Sequence, residues 1–216
     1  MSLKLYFGPG ACSFVPHAVL QLSGMPFEPI MVKLHKGEQS GEAFKAINPR
    51  AQVPVLEHEG QVIDQLVAIV LYLDDLLPDA GILPPTGWAR TRALQTLAWM
   101  NNTVHPTFTH IFMPHKFTDD EAAQAELRRF NTGLYQERLA ELDALVAQST
   151  SEWLSGDKPG ALDAYAATFL RWGGIAKIDP MQFKSLWNLA SRLYELPGLA
   201  PVIERERLQL NLMAAG

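Results

Sequence analysis

The spacing of apolar residues over the first 80 positions switches between two periods. Four short apolar runs are typical of β-strands: 3–7, 27–34, 53–58 and 61–64. Glu59-Gly60 between the last two indicates a hairpin turn. Two segments repeat at helical spacing, 14–22 and 65–77, with a short helical turn at 42–47. The pattern predicts a small α/β layer of order βαβαββα, whose last helix is expected to bury Val67, Val70, Leu71 and Leu77.

From Gly87 onward every segment fits the 3.6-residue period of a helix. Helices are predicted at about 89–115, from Asp119 onward, and at 161–176, 183–195 and 199–209. The long helix from Asp119 is expected to bury its apolar positions Leu127, Phe130, Leu134, Leu142 and Leu145. A stretch rich in proline and glycine separates the two halves and is typical of a linker. We therefore expect an α+β protein, with an α/β domain over 1–80, a linker over 81–87 and an all-α domain over 88–216.

Composition and charge narrow the possible partners. The chain has 216 residues, 48% of them hydrophobic, and a formal net charge of -5, without a basic stripe that could neutralise phosphates. No segment reaches the roughly 18 uninterrupted apolar residues of a membrane span. We therefore expect no nucleic-acid partner, no membrane insertion and a cytoplasmic location. A single cysteine excludes a disulfide within the chain.

That cysteine, Cys12, follows the first predicted strand after a Gly-Pro-Gly break and precedes the first predicted helix. Free backbone N–H groups and the positive end of the helix dipole favour an anion there, so the thiol is expected to have a lowered pKa and to react as a thiolate. Thioredoxin-type folds keep a reactive cysteine at this place. Position 15 is Val15, which excludes a dithiol pair. The alternative is that Cys12 is a small buried hydrophobe.

Pro54 stands just before a strand that should be central in the sheet. A proline there cannot donate a hydrogen bond to a neighbouring strand. A tight turn with a cis Val53-Pro54 bond is therefore the conformation with the lowest energetic cost, although trans is the more common isomer. Such a turn leaves the backbone of Val53 free to pair with an extended peptide.

Four strings in this order and spacing resemble the bacterial glutathione transferases of the beta class: FGPGACS at 7–13, NPRAQVP at 48–54, VAIVLYL at 67–73 and AYAATFLRW at 164–172. The resemblance covers nearly the whole chain. It implies a thioredoxin-like N-terminal domain that binds glutathione, a helical domain that supplies the pocket for a small apolar electrophile, and a homodimer.

The resemblance also implies roles for individual residues. Cys12 matches the cysteine beside the glutathione sulfur, and His105 matches the helical-domain histidine near the thiol. Lys36 matches the lysine for the glycine carboxylate, and Val53, next to Pro54, matches the residue whose backbone pairs with the cysteinyl part. The γ-glutamyl group would lie at the helix start formed by Gln65 and Leu66. An apolar co-substrate would be bounded by Phe108, Phe112 and Trp172.

Two departures from the family pattern affect these expectations. The family has Ser or Gly after the Gln or Glu at position 65, whereas this chain has Leu66, and losing one hydroxyl hydrogen bond weakens glutathione binding about tenfold. Asp64 is an alternative partner for the ammonium group. The family also has Ser or Thr three residues before Asp163, as a helix cap, whereas this chain has Gly160, which is expected to cost a few tenths of a kcal/mol.

Histidines 105, 110 and 115 raise the question of a metal site. A spacing of five turns successive side chains about 140 degrees apart on a helix, and Pro106 and Pro114 interrupt the segment. They cannot share one helix face, so no metal is expected. His17, five residues after Cys12, is expected to be a partly buried histidine and not its base.

Three functions fit these residues. The first is an enzyme that conjugates glutathione to apolar electrophiles or exchanges disulfides with glutathione through Cys12, and the cysteine favours exchange as the stronger activity. The second is a non-catalytic binding protein with weakened glutathione affinity, which Leu66 supports. The third is a glutathione-dependent isomerase or dehalogenase.

Overall fold

Four short strands form one mixed sheet in the computed structural model, which describes residues 3–213. They are β1 (Leu3–Phe7), β2 (Glu28–Met31), β3 (Val55–His58) and β4 (Gln61–Asp64), in the order β2-β1-β3-β4. β2 runs parallel to β1, while β3 and β4 are antiparallel to their neighbours. The β3–β4 hairpin turns at Glu59 and Gly60, which both have positive φ, as a two-residue hairpin requires.

Three helices accompany the sheet: α1 (Phe14–Ser23), α2 (Glu42–Lys45) and α3 (Leu66–Leu76). The alternating side chains of β1 divide between its two faces. Leu3, Leu5 and Phe7 pack with α1 and α3 in the main core, whereas Tyr6 packs with Phe44 of α2 in a smaller cluster. The predicted order βαβαββα of a thioredoxin-like layer is confirmed.

The inward face of α3 differs from the prediction. The structure buries Leu66, Ile69, Val70 and Leu73, so Val70 is the one residue that the predicted and observed faces share. The helix carries apolar residues on nearly every side, so the periodicity does not define a single face. Packing against α1 and the sheet selects the face.

The rest of the described chain is helical, as predicted. Its helices are α4 (Gly87–Trp99), α5 (His105–Phe112), α6 (Glu121–Gln148), α7 (Ala161–Ile175), α8 (Lys184–Tyr194) and α9 (Ala200–Glu206). A π-helical segment, Met100–Val104, joins α4 to α5. α7 is buried over most of its length, packs against α1 and forms the centre of this region.

The long helix α6 begins at Glu121, two residues later than predicted. Asp120 is its N-cap, and its carboxylate accepts hydrogen bonds from the N–H groups of Ala122 and Ala123. The buried face consists of Asn131, Tyr135, Leu139 and Leu142. Phe130, predicted to be inward, is 63% exposed. The predicted face was wrong because it was built from apolar residues only. Asn131 is polar and yet lies on the buried face, where its side-chain amide donates to a backbone carbonyl.

One hydrophobic cluster runs through the sheet layer and the helical region without a break, from Leu3 to Leu208. The cleft described below lies beside this shared core, where the two regions meet. Among the helices of the described part of the chain, none combines the length and the apolar character that crossing a membrane requires.

Candidate active site

A cleft of about 950 Å³ lies between the sheet layer and the helical region. That volume is within the range of small-molecule sites. Every residue that the sequence predicted for the site lines it: Cys12, Lys36, Val53, Pro54, Gln65, Leu66, His105, Phe108, Phe112 and Trp172. The first six come from the sheet layer and the last four from the helices. The structure therefore brings together both predicted halves of the site.

Cys12 lies in the turn between β1 and α1. Ser13 holds this turn closed, because its hydroxyl accepts from the N–H of Gly8 at 3.0 Å and donates to the carbonyl of Gly8 at 3.1 Å. The thiol of Cys12 donates to the carbonyl oxygen of Val53 at 3.8 Å. The Val53-Pro54 bond is cis, as predicted. The Cys12 thiol is therefore in direct contact with the cis Val53-Pro54 turn.

The predicted lowering of the Cys12 pKa is wrong for the free protein. The side chain is buried, and burial, which disfavours the thiolate, raises the pKa of the thiol to about 12. The backbone N–H groups of Cys12 and Ser13 lower the pKa, as expected at a helix start, but the charge of Glu206 raises it further. Cys12 is therefore a protonated thiol at neutral pH, and its S–H is a hydrogen-bond donor.

Gly10, two residues before Cys12, is held from both sides by the helical region. Its N–H donates to Glu206 Oε2 at 2.8 Å. Its carbonyl accepts from Trp172 Nε1 at 2.9 Å and from Arg171 Nη1 at 3.3 Å. The other oxygen of Glu206 lies 2.6 Å from Nδ1 of His17, and both side chains are fully buried. These contacts fix the loop that carries the thiol.

His105 lies half-buried in the cleft, with its ring 5.0 Å from that of Trp172. Its Nδ1 atom is 2.7 Å from the hydroxyl of Tyr165, which stays protonated because burial raises the Tyr165 pKa well above its usual value. Burial, together with the charge of Lys116, lowers the His105 pKa to about 4. His105 is therefore neutral at neutral pH and can act as a hydrogen-bonding group but not as a cation.

The predicted aromatic wall is continuous. The ring of Phe108 stacks on Trp172 at 4.5 Å and on Phe112 at 5.6 Å. Phe112 is 55% exposed and forms the outer edge of this wall, while Phe108 and Trp172 are buried. A flat apolar group can pack against this surface.

The sheet-layer side of the cleft supplies polar groups. Lys36 is exposed at the end of a short 3-10 helix, and Gln65 is exposed at the start of α3 with φ of 73°. The side chain of Leu66 is buried in the main core. Asp64 is paired with Arg50 at 2.7 Å, so it is not a free partner for an ammonium group.

Two buried residues of this site were not predicted from the sequence. Glu206 is the last residue of the short helix α9, and Tyr165 lies in the AYAATFLRW string, which carries part of the family resemblance. No local pattern distinguishes a buried Glu206 from a solvated one, since its partners are far away in sequence. His17, expected to be partly buried, is fully buried.

The histidines at 105, 110 and 115 do not converge. Among residues 3–213 there is no group of three or more His, Cys, Asp or Glu side chains that could hold a metal ion. His110 donates from Nδ1 to the carbonyl of Pro106 at 2.7 Å and stacks on Phe117 at 4.1 Å.

Comparison with known proteins agrees with this geometry. Residues 1–75 match the family model described as Glutathione S-transferase, N-terminal domain. Glutathione S-transferase GST-4.5 of Xanthomonas campestris pv. campestris is 32% identical, over 82% of this chain and 85% of the relative. Glutathione S-transferase GstA of Escherichia coli O157:H7 is 29% identical, over 96% of this chain and all of the relative.

A solved structure is similar over the same length. The crystal structure of a glutathione transferase from Methylococcus capsulatus aligns with a TM-score of 0.81 and 33% identity, over 96% of this chain and 100% of that one. A thioredoxin-like layer followed by a helical region, with a cleft between them, defines the class of protein. This chain belongs to the glutathione S-transferase family.

Proposed function

We propose that this protein is a beta-class-like glutathione transferase that conjugates glutathione to small electrophiles with an apolar body. The observation that carries the proposal is the cleft itself, in which a lone cysteine, a cis Val53-Pro54 turn and an aromatic wall face a common space. Family membership supports a transferase, and Cys12 at the end of the first loop supports the beta-class type.

Glutathione would lie along the sheet-layer side of the cleft. Its cysteinyl part would pair with the backbone of Val53 as an added strand does. Lys36 would hold the glycine carboxylate. The γ-glutamyl carboxylate would meet the N-terminus of α3, where Gln65 and the N–H of Leu66 supply donors. Leu66 has no hydroxyl to add, so we expect weak to moderate affinity.

The protonation state of Cys12 favours conjugation over disulfide exchange. Because burial raises its pKa to about 12, Cys12 is a protonated thiol at neutral pH. The protonated thiol would instead donate a hydrogen bond to the thiolate of glutathione and stabilise it. The thiol proton of glutathione first goes to solvent, the resulting thiolate sulfur then attacks the electrophilic carbon, and the leaving group departs with its bonding electrons.

The role of Cys12 is tested with the variants Cys12→Ser and Cys12→Ala. Serine keeps a donor at the site, whereas alanine removes it. We expect kcat/KM for conjugation of glutathione to an aryl chloride to fall about tenfold in Cys12→Ala and much less in Cys12→Ser. Equal rates in wild type and Cys12→Ala would exclude the donor role. Disulfide exchange that needs the sulfur would be lost in both variants.

Lys36→Ala tests the binding of glutathione, with Lys45→Ala as its control, since Lys45 is exposed and lies outside the cleft. We expect Lys36→Ala to raise KM for glutathione about tenfold with little change in kcat, which is the signature of lost ground-state binding. If the folded wild type is not retained on immobilised glutathione and shows no conjugation at saturating glutathione, the result favours the non-catalytic binding protein instead.

A homodimer is part of the proposal, as the resemblance implies. Sedimentation equilibrium should give a mass twice the 24.0 kDa of the chain. A mass of 24.0 kDa at micromolar concentration would contradict it.

A further inference from the structure

The cleft carries a charge opposite to that of the whole chain. The protein has a formal net charge of -5. Among the residues that the structure describes, the cleft is lined by a single carboxylate, that of Glu206, and by six cationic side chains: Lys33, Lys36, Lys116, Arg171, Arg205 and Arg207. A cleft with low-dielectric walls and one sign of charge concentrates ligands of the opposite sign.

The cations of the cleft are mostly not neutralised by neighbouring carboxylates. Glu206 is engaged by His17 and by the N–H of Gly10. Within residues 3–213, the one ion pair that involves a cleft cation joins Lys33 to Glu38 at 3.8 Å. Five cations therefore face the cleft without an ion-pair partner in the described part of the chain.

Most of the cleft cations belong to the helical region, which is the side of the cleft proposed to bind the co-substrate. Lys33 and Lys36 belong to the loop after β2, on the sheet-layer side. The other four belong to the helical region: Lys116 after α5, Arg171 in α7, and Arg205 and Arg207 at the end of α9. Glutathione has two carboxylates and one ammonium group, which Lys36 and the start of α3 can satisfy. The helical cations exceed what the tripeptide needs.

Arg171 is the most enclosed of these cations. One of its N–H groups, on Nη1, bonds the carbonyl of Gly10, while its Nε atom is buried with no hydrogen-bond partner among the described residues. Burial lowers the Arg171 pKa, while the charges of Tyr194 and Glu206 act in the opposite direction. A guanidinium with unused donors matches a carboxylate in charge and in shape.

Lys116 and the aromatic wall complete the arrangement. Lys116 lines the cleft together with His105, and its charge contributes to the lowered pKa of that histidine. Both residues share the cleft with Phe108 and Phe112. A flat apolar surface therefore stands next to a cluster of cations.

We propose that the co-substrate of this cleft is an anion: an electrophile whose aromatic or conjugated body packs on the wall of Phe108, Phe112 and Trp172, and whose carboxylate is held by Arg171, Lys116 and Arg205. This inference rests on the proposed function and narrows its substrate class. The cleft prefers a carboxylate-bearing electrophile to a neutral one of the same shape.

A matched pair of electrophiles tests the preference. 4-Chloro-3,5-dinitrobenzoate and 4-chloro-3,5-dinitrobenzamide present the same reacting carbon and leaving group, and they differ in charge. Each kcat/KM is divided by the rate constant of the uncatalysed reaction with glutathione, which removes the difference in reactivity. We expect the benzoate to be preferred by at least about tenfold at low salt, with the preference shrinking as salt is added. Equal normalised values would overturn the proposal.

Variants assign the preference to the helical cations. Lys116→Gln and Arg205→Gln remove exposed charges at the cleft, and each should reduce the preference ratio about threefold. Lys184→Gln is the control, since Lys184 is exposed in the same region but lies outside the cleft, and it should leave the ratio unchanged. If the two cleft variants raise KM for glutathione and leave the ratio unchanged, the cations serve the tripeptide and the proposal is wrong.

A binding measurement separates this inference from the proposed function. 3,5-Dinitrobenzoate and 3,5-dinitrobenzamide lack the leaving group, and their affinities can be compared by equilibrium dialysis. If neither chlorinated compound is conjugated, the transferase proposal fails, yet tighter binding of the benzoate than of the benzamide still supports an anion site. Equal affinities for the two would overturn the anion site whatever the enzyme does.

Discussion

Glu206 places a buried negative charge next to the loop that carries Cys12. Its carboxylate accepts from the N–H of Gly10 at 2.8 Å, two residues before the thiol, and its charge is one of the causes that raise the pKa of Cys12. The loop is therefore positioned by a group that also adds to the effect of burial on the pKa of its cysteine. In a conjugating enzyme both effects help, because the thiol can then serve as a donor to the glutathione sulfur.

Glu206→Gln separates the charge from the hydrogen bond. The amide can still accept from Gly10, but a negative charge near Cys12 disfavours the thiolate, so removing it should lower the Cys12 pKa. Alkylation by iodoacetamide between about pH 7 and pH 10 should accelerate about three- to tenfold. In the wild type the rate should rise about tenfold per pH unit without a plateau in this range, because the pKa is about 12.

Glu204→Gln is the control for this variant. Glu204 lies on the same helix and is exposed, so its charge is screened by solvent. If Glu206→Gln and Glu204→Gln have the same alkylation profile as the wild type, Glu206 does not influence the thiol.

At the scale of elements, the start of α7 shows how a missing cap is replaced. Gly160 has no side chain to cap the helix, yet its N–H donates to Asp163 Oδ2 at 2.9 Å. The hydroxyl of Ser155 accepts from the N–H of Leu162 at 3.1 Å, which is the bond that a capping residue makes. A Cβ atom at Gly160 would lie 2.4 Å from the carbonyl oxygen of Ile82. The space for a side chain is therefore absent.

Gly160→Ser should destabilise the protein, although capping preferences alone predict the opposite. We expect the free energy of unfolding in urea to fall by about 1–3 kcal/mol, because the added Cβ forces the backbone of Ile82 to move. Ser155→Ala should cost about 1 kcal/mol through loss of the cap. Ser151→Ala, an exposed serine of the same loop, should change little. A Gly160→Ser variant more stable than the wild type would show that the loop relaxes freely.

At the scale of the whole molecule, the sheet layer and the helical region share one core. The hydrophobic cluster is continuous between them, and α1 packs directly against α7. Gly10 also links the two regions by hydrogen bonds, since its N–H and its carbonyl are both bonded to residues of the helical region. Unfolding either region would expose the apolar surface of the other, so neither is expected to melt alone.

The expected result is a single unfolding transition. All five tryptophans lie after residue 87 and report on the helical region, whereas Cys12 reports on the sheet layer through its reaction with a thiol reagent. The urea midpoints from tryptophan fluorescence and from thiol reactivity should coincide. Two separate midpoints would show that the regions unfold independently and that the shared core contributes little coupling.

The sequence was sufficient for the order of the elements and the hairpin at Glu59 and Gly60, and it favoured a cis turn at Pro54 on energetic cost although trans is the more common isomer. Each of these depends on a few neighbouring residues, whose conformational preferences act locally. The resemblance named ten of the residues that line the cleft, but not Glu206 or Arg171. It could not supply the buried faces of α3 and α6, because a helix with apolar residues on several sides is oriented by what packs against it.

The chemical states of the site depended on packing between distant parts of the chain. The sequence placed Cys12 at a helix start, and the structure keeps the N–H groups expected there. Burial of the thiol and the charge of Glu206 nevertheless outweigh them, and Glu206 is 196 residues away from its partner Gly10. His105 is neutral for the same kind of reason, since burial lowers its pKa. Local sequence sets conformation, whereas desolvation and buried charge contacts arise only when the chain has folded.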